Sequence, residues 1–184
     1  GQVVGHPLAD WDDVDSWQPP PPQEFGPDEG QRLAAARAAG NLGMAWVNGH
    51  GFFFLLLTYL RGTENFMLDV ATEDPRLDRL IELIADHYAP AVLASVAAGI
   101  DLLWAADDLG TQYQSFLGPK HFRRYILPTY QRLFLPARAS GAHVHLHTDG
   151  YIMDIAEELL ESGVSIPNIQ DLANGIDAIA EVFK

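Results

Sequence analysis

The 184-residue sequence contains no cysteine. Disulfides are thereby excluded, and so is any metal centre built on thiolates. Basic residues are scarce: 11 Lys and Arg stand against 25 Asp and Glu, a net charge of −14. A surface of that sign repels phosphate backbones and anionic headgroups, which argues against nucleic acid and membrane partners. Anionic small molecules stay open, because local arginines can outweigh the global field. Long apolar runs are missing too. The most apolar stretch, Gly51 to Leu60, is about half of the ~20 residues a membrane span requires. No Walker loop, dinucleotide glycine fingerprint, nucleophile elbow or His-Glu-x-x-His motif occurs. The lack of cysteine fits a reducing compartment, so a cytoplasmic location is expected.

What is present is a foldable chain. Hydrophobic residues make up 48% of it and four are Trp, which excludes a disordered segment and allows one core. Residues 1–30 read as an extended N-terminal segment, with Trp11 and Trp17 among Asp and Pro and a polyproline run at Pro19–Pro22. Residues 31–184 read as a single α/β domain. A small-residue helix ends at Gly40, and an apolar run follows from Leu42 to Val47. Asp74-Pro75 opens a long helix as cap and first helical residue, and Gly99 closes it before a buried strand at Ile100–Ala106. The pattern continues with a helix over Pro119–Ser140, a strand over Ala142–His147, a helix over Tyr151–Ser162, a strand over Val164–Ile169 and a helix over Leu172–Phe183. A glycine closing each helix just before a strand is the signature of short αβ loops. Such alternation predicts parallel βαβ units.

Parallel α/β proteins place their chemistry at the carboxyl ends of the strands. The amino-end loops of this sequence are terse and glycine-capped. The carboxyl-end loops hold the polar residues: Asn48-Gly49-His50, Asp107–Gln112, His147–Gly150 and Asn168–Asp171. Segregation of that kind predicts a catalytic rim.

One strand stands out. Ala142, Val144 and Leu146 fall on one face, with His143, His145, His147 and Asp149 on the other. An imidazole-lined face points to an active-site cavity. A rise of roughly 3.3 Å per residue puts His143 about 13 Å from His147, too far to share an ion. His147 lies about 6.6 Å from His145 and from Asp149, within reach of a common ligand by the same rise. His147 and Asp149 could hold a divalent metal, or Asp149 could cap the following helix and His147 be a hydrogen-bonded core residue. His143 reads as an interior histidine. Asp107-Asp108 offers a metal site or a carboxyl raised for proton transfer, against a turn cap closed by Gly110. Arg61 could clamp a substrate carboxylate, or pair with Glu64 at a helix start. Arg123-Arg124 read as a solvated helix face.

The motifs Gly5-His-Pro-Leu-Ala-Asp-Trp11, Leu60-Arg-Gly-Thr-Glu-Asn65, Asp107-Asp-Leu-Gly-Thr-Gln112, His147-Thr-Asp-Gly150 and Asn168-Ile-Gln170 together resemble the uroporphyrinogen decarboxylase superfamily. The likeness is closer to its methyltransferase-like branch, which includes cobalamin-dependent thiol methyltransferases. It runs over nearly the whole chain in the right order. The resemblance implies a (β/α)8 TIM-type barrel with the site at the strand carboxyl ends, of which this chain offers about four βα units as a central fragment. Residues 31–184 are then a partial barrel. The zinc methyltransferases of the family carry His-x-Cys on this strand plus a distal Cys, and Asp149 stands here at the Cys position. A nitrogen–oxygen site on His147 and Asp149, or no metal, is what the departure implies. The substrate-binding arginine cluster of true decarboxylases is absent from the amino end.

The expected function is methyl transfer on a small organic substrate, with a corrinoid supplied by a partner protein. Asp107, Asp108, Gln112 and His147 are the expected catalytic residues, and Arg61, Glu64, His145, Asn168 and Gln170 the expected substrate contacts. Decarboxylation without metal is the alternative, a carboxylate of the Asp107–Asp108 pair then stabilising a protonated intermediate. A non-catalytic binding or assembly module is the third reading. A half-barrel also leaves sheet edges and interior faces bare, so the expectation is either a truncated piece of a longer chain, flanks supplied by disordered or excised segments, or self-association over the open side.

Overall fold

In the structure, a computed structural model describing residues 3–21, 28–47 and 51–184, the four expected strands form one parallel sheet. The Asn48-Gly49-His50 loop and Pro22 lie outside the described residues. After a short 3-10 turn at Trp11–Asp13 come α1 (Glu29–Ala38), β1 (Met44–Trp46), α2 (Phe53–Arg61), α3 (Thr63–Ala71) and α4 (Arg76–Ala98). They are followed by β2 (Leu102–Ala106), α5 (Pro119–Tyr125), α6 (Leu127–Ala139) and β3 (His143–Thr148). The chain then continues through α7 (Ala156–Glu161), β4 (Ile166–Ile169), α8 (Asp171–Asn174) and α9 (Ile176–Val182). Strand order is β1-β2-β3-β4, every pair parallel, with Trp46 opposite Trp104, Trp104 opposite His145 and His145 opposite Ile166.

Period-two alternation divides the sheet into two unlike faces. Ala45, Leu103, Ala105, Val144 and Leu146 are buried on one of them. Helices cover that face, and the aromatic start of α2 fills the middle of the core. The Phe52 ring lies 5.4 Å from Tyr130 and 5.6 Å from Phe134, all three fully buried. Each such side chain contributes about 1.5–3 kcal/mol by leaving water. Leu8 and Val14 of the N-terminal segment join the same core. Helix α4 is long and apolar enough to cross a membrane by length and composition alone. Its apolar stripe (Leu77, Leu80, Ile84, Val92) is instead buried inside the protein.

Three helices differ from the sequence expectation, two for a local reason and one through tertiary contacts. Pro119–Ser140 is two helices, broken at Ile126, because Pro128 lacks an amide donor and crowds the carbonyl four residues before it. Tyr151–Ser162 is a 3-10 turn followed by the short α7. Its first amides bond elsewhere: Tyr151 N–H donates to Thr111 O at 2.7 Å and Ile152 N–H to Asn174 Oδ1 at 2.8 Å. Leu172–Phe183 is interrupted at Gly175, whose φ of +79° suits glycine and ends α8.

Candidate functional site

At the carboxyl end of the sheet, alternation decides which carboxylate meets the open face. Leu103, Ala105 and Asp107 share a parity, so Asp107 turns under the helices. Trp104, Ala106 and Asp108 share the other, so Asp108 joins the face that carries His145, His147 and Asp149. One ligand atom each from Asp108, His147 and Asp149 lies within 4.8 Å of the other two. His147 Nε2 is 3.6 Å from Asp149 Oδ1, and the Asp149 amide donates to Asp108 Oδ1 at 3.3 Å. All three side chains are half-buried, open enough to admit a ligand.

Neighbouring residues orient this triad. Asn168 on β4 lies opposite His147 and accepts through Oδ1 from His147 Nδ1 at 2.6 Å. A proton on Nδ1 leaves the Nε2 lone pair directed at the carboxylates, the arrangement that metal-ligating histidines adopt. Gln170 Oε1 accepts from the Gly150 amide at 3.0 Å. Asn174 donates to Gly150 O and to Gln170 O, both at 2.8 Å, which ties α8 to the rim.

The loops after β2 and β3 touch backbone to backbone. Gly110 N–H donates to Asp149 O at 3.1 Å, and Thr148 Oγ1 accepts from the Leu109 amide at 3.0 Å. A Cβ on Gly110 would come within 2.3 Å of Tyr151 O, and one on Gly150 within 2.2 Å of Gly110 O. Gly150 also has φ +82°. These two positions need glycine so that Asp108 and Asp149 can approach each other.

Below the triad an aromatic row crosses the open face. Trp46 and Trp104 lie with ring centroids 4.3 Å apart, and the His145 ring stacks on Trp104 at 5.4 Å. Burial first, then the neighbouring His147, pushes the His145 pKa down. Its Nδ1 is buried and has no hydrogen-bond partner.

Several expected site residues sit elsewhere. Asp107 is fully buried and accepts from the amides of Phe54 (2.6 Å) and Leu55 (2.7 Å) at the start of α2 and from Tyr130 Oη (2.7 Å). Desolvation outweighs those bonds and raises its pKa to about 6, with the Asp108 charge adding to the rise. It caps a helix and does not face the triad. Arg61 is buried and pairs with Asp69 at 2.8 Å, not with Glu64, and it donates to the carbonyls of Leu8 and Ala9. Glu64 is exposed on α3, and Gln112 is exposed in the loop after β2. His143 is exposed at the amino end of β3, with Ser165 Oγ 3.3 Å from Nδ1, instead of being interior. Asp149 caps no helix.

Sequence reasoning overlooked three residues on this side. Trp104 has the parity of Asp108 and Trp46 lies opposite it, so the alternation used for β3 could have found both. Burial first, then the charges of Asp108 and Asp107, raises the pKa of Tyr59 on α2. No spacing signal in the sequence links it to β2.

The family profile described as "Uroporphyrinogen decarboxylase (URO-D)" matches residues 1–182. The chain belongs to the uroporphyrinogen decarboxylase family. Uroporphyrinogen decarboxylases of two strains of Thermus thermophilus are each 28% identical to it over 169 residues, 89% of this chain and 48% of theirs. The chain therefore spans about half the length of these curated relatives. A methyltransferase from Methanosarcina mazei superposes with a TM-score of 0.65 at 16% identity, over 99% of this chain and 53% of that one. The four βα units are thus part of the family's TIM-type barrel, and the triad lies at the strand ends where such barrels hold their sites. The relatives named are enzymes, a decarboxylase and a methyltransferase.

Proposed function

We propose that this uroporphyrinogen decarboxylase-family chain forms the catalytic rim of a methyltransferase acting on a small organic substrate. In this reading a divalent cation is held by Asp108, His147 and Asp149. The observation that carries it is the convergence of those three ligand atoms within 4.8 Å, on adjacent strands, around an oriented histidine. The donor set is one nitrogen with carboxylate oxygens, which suits zinc, manganese or cobalt without thiolates. When bound, such an ion would act as a Lewis acid toward a thiol, hydroxyl or water of the substrate. Asn168 fixes the His147 tautomer, Asp108 and Asp149 supply carboxylate oxygens, and Trp104 with the His145 ring stacked on it gives the substrate an aromatic floor. A corrinoid carried by a partner protein as methyl source, and a cytoplasmic location, belong to the same proposal.

A thermal-shift series with Zn²⁺, Co²⁺ and Mn²⁺ tests it. Saturation at a hundred times Kd contributes about 2.7 kcal/mol. For a domain of this size that raises Tm by roughly 5–10 °C. Asp108→Asn and His147→Ala should each abolish the rise. No shift with any cation favours a second reading, which the likeness to the Thermus decarboxylases supports: metal-free decarboxylation with Asp108 as the carboxylate that stabilises a protonated intermediate.

A further inference from the structure

We propose that the groove between α4 and the α5–α6 elbow is a second binding site, for a compact zwitterion of the amino-acid class. The groove lies in the helical layer, on the other side of the sheet from the triad, so the inference is independent of the metal reading. Its two walls pack against each other and belong to consecutive units of the sheet.

Two hydroxyls at the groove lack partners. Tyr125 is 3% exposed and Thr129 4%, and both line a space of about 170 Å³. Neither hydroxyl makes a hydrogen bond among the described residues. A threonine in a helix commonly returns its hydroxyl to the carbonyl one turn back, as Thr72 does to Leu68 at 2.9 Å. Among the described residues, only Trp11 Nε1 and His145 Nδ1 are both unpaired and sealed from solvent, so the Tyr125 and Thr129 hydroxyls open into the groove. Burial, the largest influence on Tyr125, raises its pKa, which keeps the hydroxyl protonated and able to donate at neutral pH. Polar groups on side chains this buried are normally paired, and these two call for an acceptor from outside the protein.

The walls say which acceptor. Asp78 and Glu82 stand one turn apart on α4, facing Arg124 and Arg132, so the charges lining the groove sum to zero. Arg124 reaches Asp78 at 2.6 Å, and Arg132 reaches Glu82 at 3.3 Å and Asp86 at 2.6 Å. The side chains of these pairs are between 42% and 71% exposed, and ion pairs so exposed are weak and open readily. A simple anion drawn to the arginines would meet the carboxylates of α4, and a simple cation would meet the arginines. A zwitterion inserts into a pair without stripping either partner. Its carboxylate takes a guanidinium and the two hydroxyls, and its ammonium takes Asp78 or Glu82. The space is well below the ~300–1,000 Å³ of sites for drug-sized ligands, which limits the occupant to a compact molecule. Ile81 and Ala85, both buried, offer its side chain an apolar contact.

Amide chemical-shift titrations of the metal-free protein with the standard L-amino acids test the site. At least one should bind with Kd at or below about 1 mM, its shifts gathered on α4, α5 and the start of α6. The N-acetyl derivative of that amino acid, which has no ammonium, and its amide, which has no carboxylate, should each bind at least about tenfold more weakly. Tyr125→Phe and Thr129→Val each delete one hydroxyl and keep the shape. Each should weaken binding about tenfold, the effect of one hydrogen bond to a charged group. If either variant melts early, the other and the exposed Arg124→Gln give the same reading. Asp108→Asn should leave the affinity unchanged. The proposal is overturned if no amino acid binds up to about 10 mM, or if the N-acetyl derivative or the amide binds equally well. Binding that survives the hydroxyl variants, or that Asp108→Asn removes, also overturns it, because the amino acid then sits elsewhere.

Discussion

Replacing Arg61 by alanine should destabilise the fold by about 4 kcal/mol, through the partner it leaves behind more than through the contacts it loses. Arg61 and Asp69 side chains are 6% and 8% exposed. Arg61 Nε donates to Asp69 Oδ2 at 2.8 Å and Nη1 to Leu8 O at 2.8 Å, and its guanidinium lies 4.1 Å from the Trp11 ring centroid. A buried carboxylate stripped of its cation costs about 3–5 kcal/mol, and a desolvated cation–π contact adds roughly 1–2. The terms overlap, because truncating Arg61 lets water reach Asp69 and frees residues 8–11 from α2. Hence the estimate of about 4 kcal/mol, which corresponds to a Tm loss of about 10 °C.

Urea titrations followed by far-UV circular dichroism and tryptophan fluorescence measure it, with Asp69→Ala and the double variant completing a cycle. The double variant should be less destabilised than the sum of the singles by about 2–3 kcal/mol, since it leaves no unpaired charge. Arg61→Lys keeps the charge but loses the planar fork, so it should fall between wild type and alanine. The reasoning fails if Arg61→Ala changes stability by less than about 1 kcal/mol. A loss of ligand binding at unchanged stability would restore the substrate-clamp expectation.

Asp107→Asn should make stability less dependent on pH. The folded pKa of Asp107, about 6, lies above the ordinary 3.8, so the protonated form is favoured in the fold; its contribution is complete below pH 3.8 and lost by pH 6. Relative to the variant, wild type should therefore lose about 3 kcal/mol over that window in urea titrations, and parallel curves would contradict the assignment. Gly110→Ala should cost about 1–3 kcal/mol and weaken any cation-induced Tm rise, because its Cβ forces the two rim loops apart. Gly30→Ala, on α1 with open space around it, should instead stabilise by about 0.5–1 kcal/mol in the same assay. Asn168→Ala releases the His147 ring and should lower cation affinity about 10–100-fold in calorimetric titration while leaving Tm without metal nearly unchanged.

The strands were legible because a parallel sheet under helices imposes alternation on its residues. The histidine-faced strand, its partner β4 and the polar rim all follow from parity and from glycines at helix ends. The role of Arg61 was not legible, since its carbonyl partners lie in the N-terminal segment some fifty positions earlier and only tertiary folding brings them together. The failed helix over Tyr151–Ser162 has a similar origin: its start is tied by tertiary contacts to Thr111 in the loop after β2 and to Asn174 in α8. Glu64 and Gln112 entered as polar residues of a recognisable motif, and a motif does not say which way a side chain points.

Asp107 and Asp108 show how far parity alone could have gone. The two are adjacent, chemically identical, and read from sequence as one carboxylate pair. Asp107 continues Leu103 and Ala105, so it goes under the helices, where the amides of α2 and Tyr130 receive it. Asp108 continues Trp104 and Ala106, so it goes to the open face, where His147 and Asp149 stand. One carboxylate therefore anchors the helix that carries Tyr59, and its neighbour is a member of the triad whose charge, after burial, helps raise the Tyr59 pKa. A substitution at Asp107 that shifts α2 would register at the triad as well. Loss of activity on mutating Asp107 could thus not by itself identify it as a catalytic residue, and the pH-dependent stability of Asp107→Asn is the readout that separates the two roles.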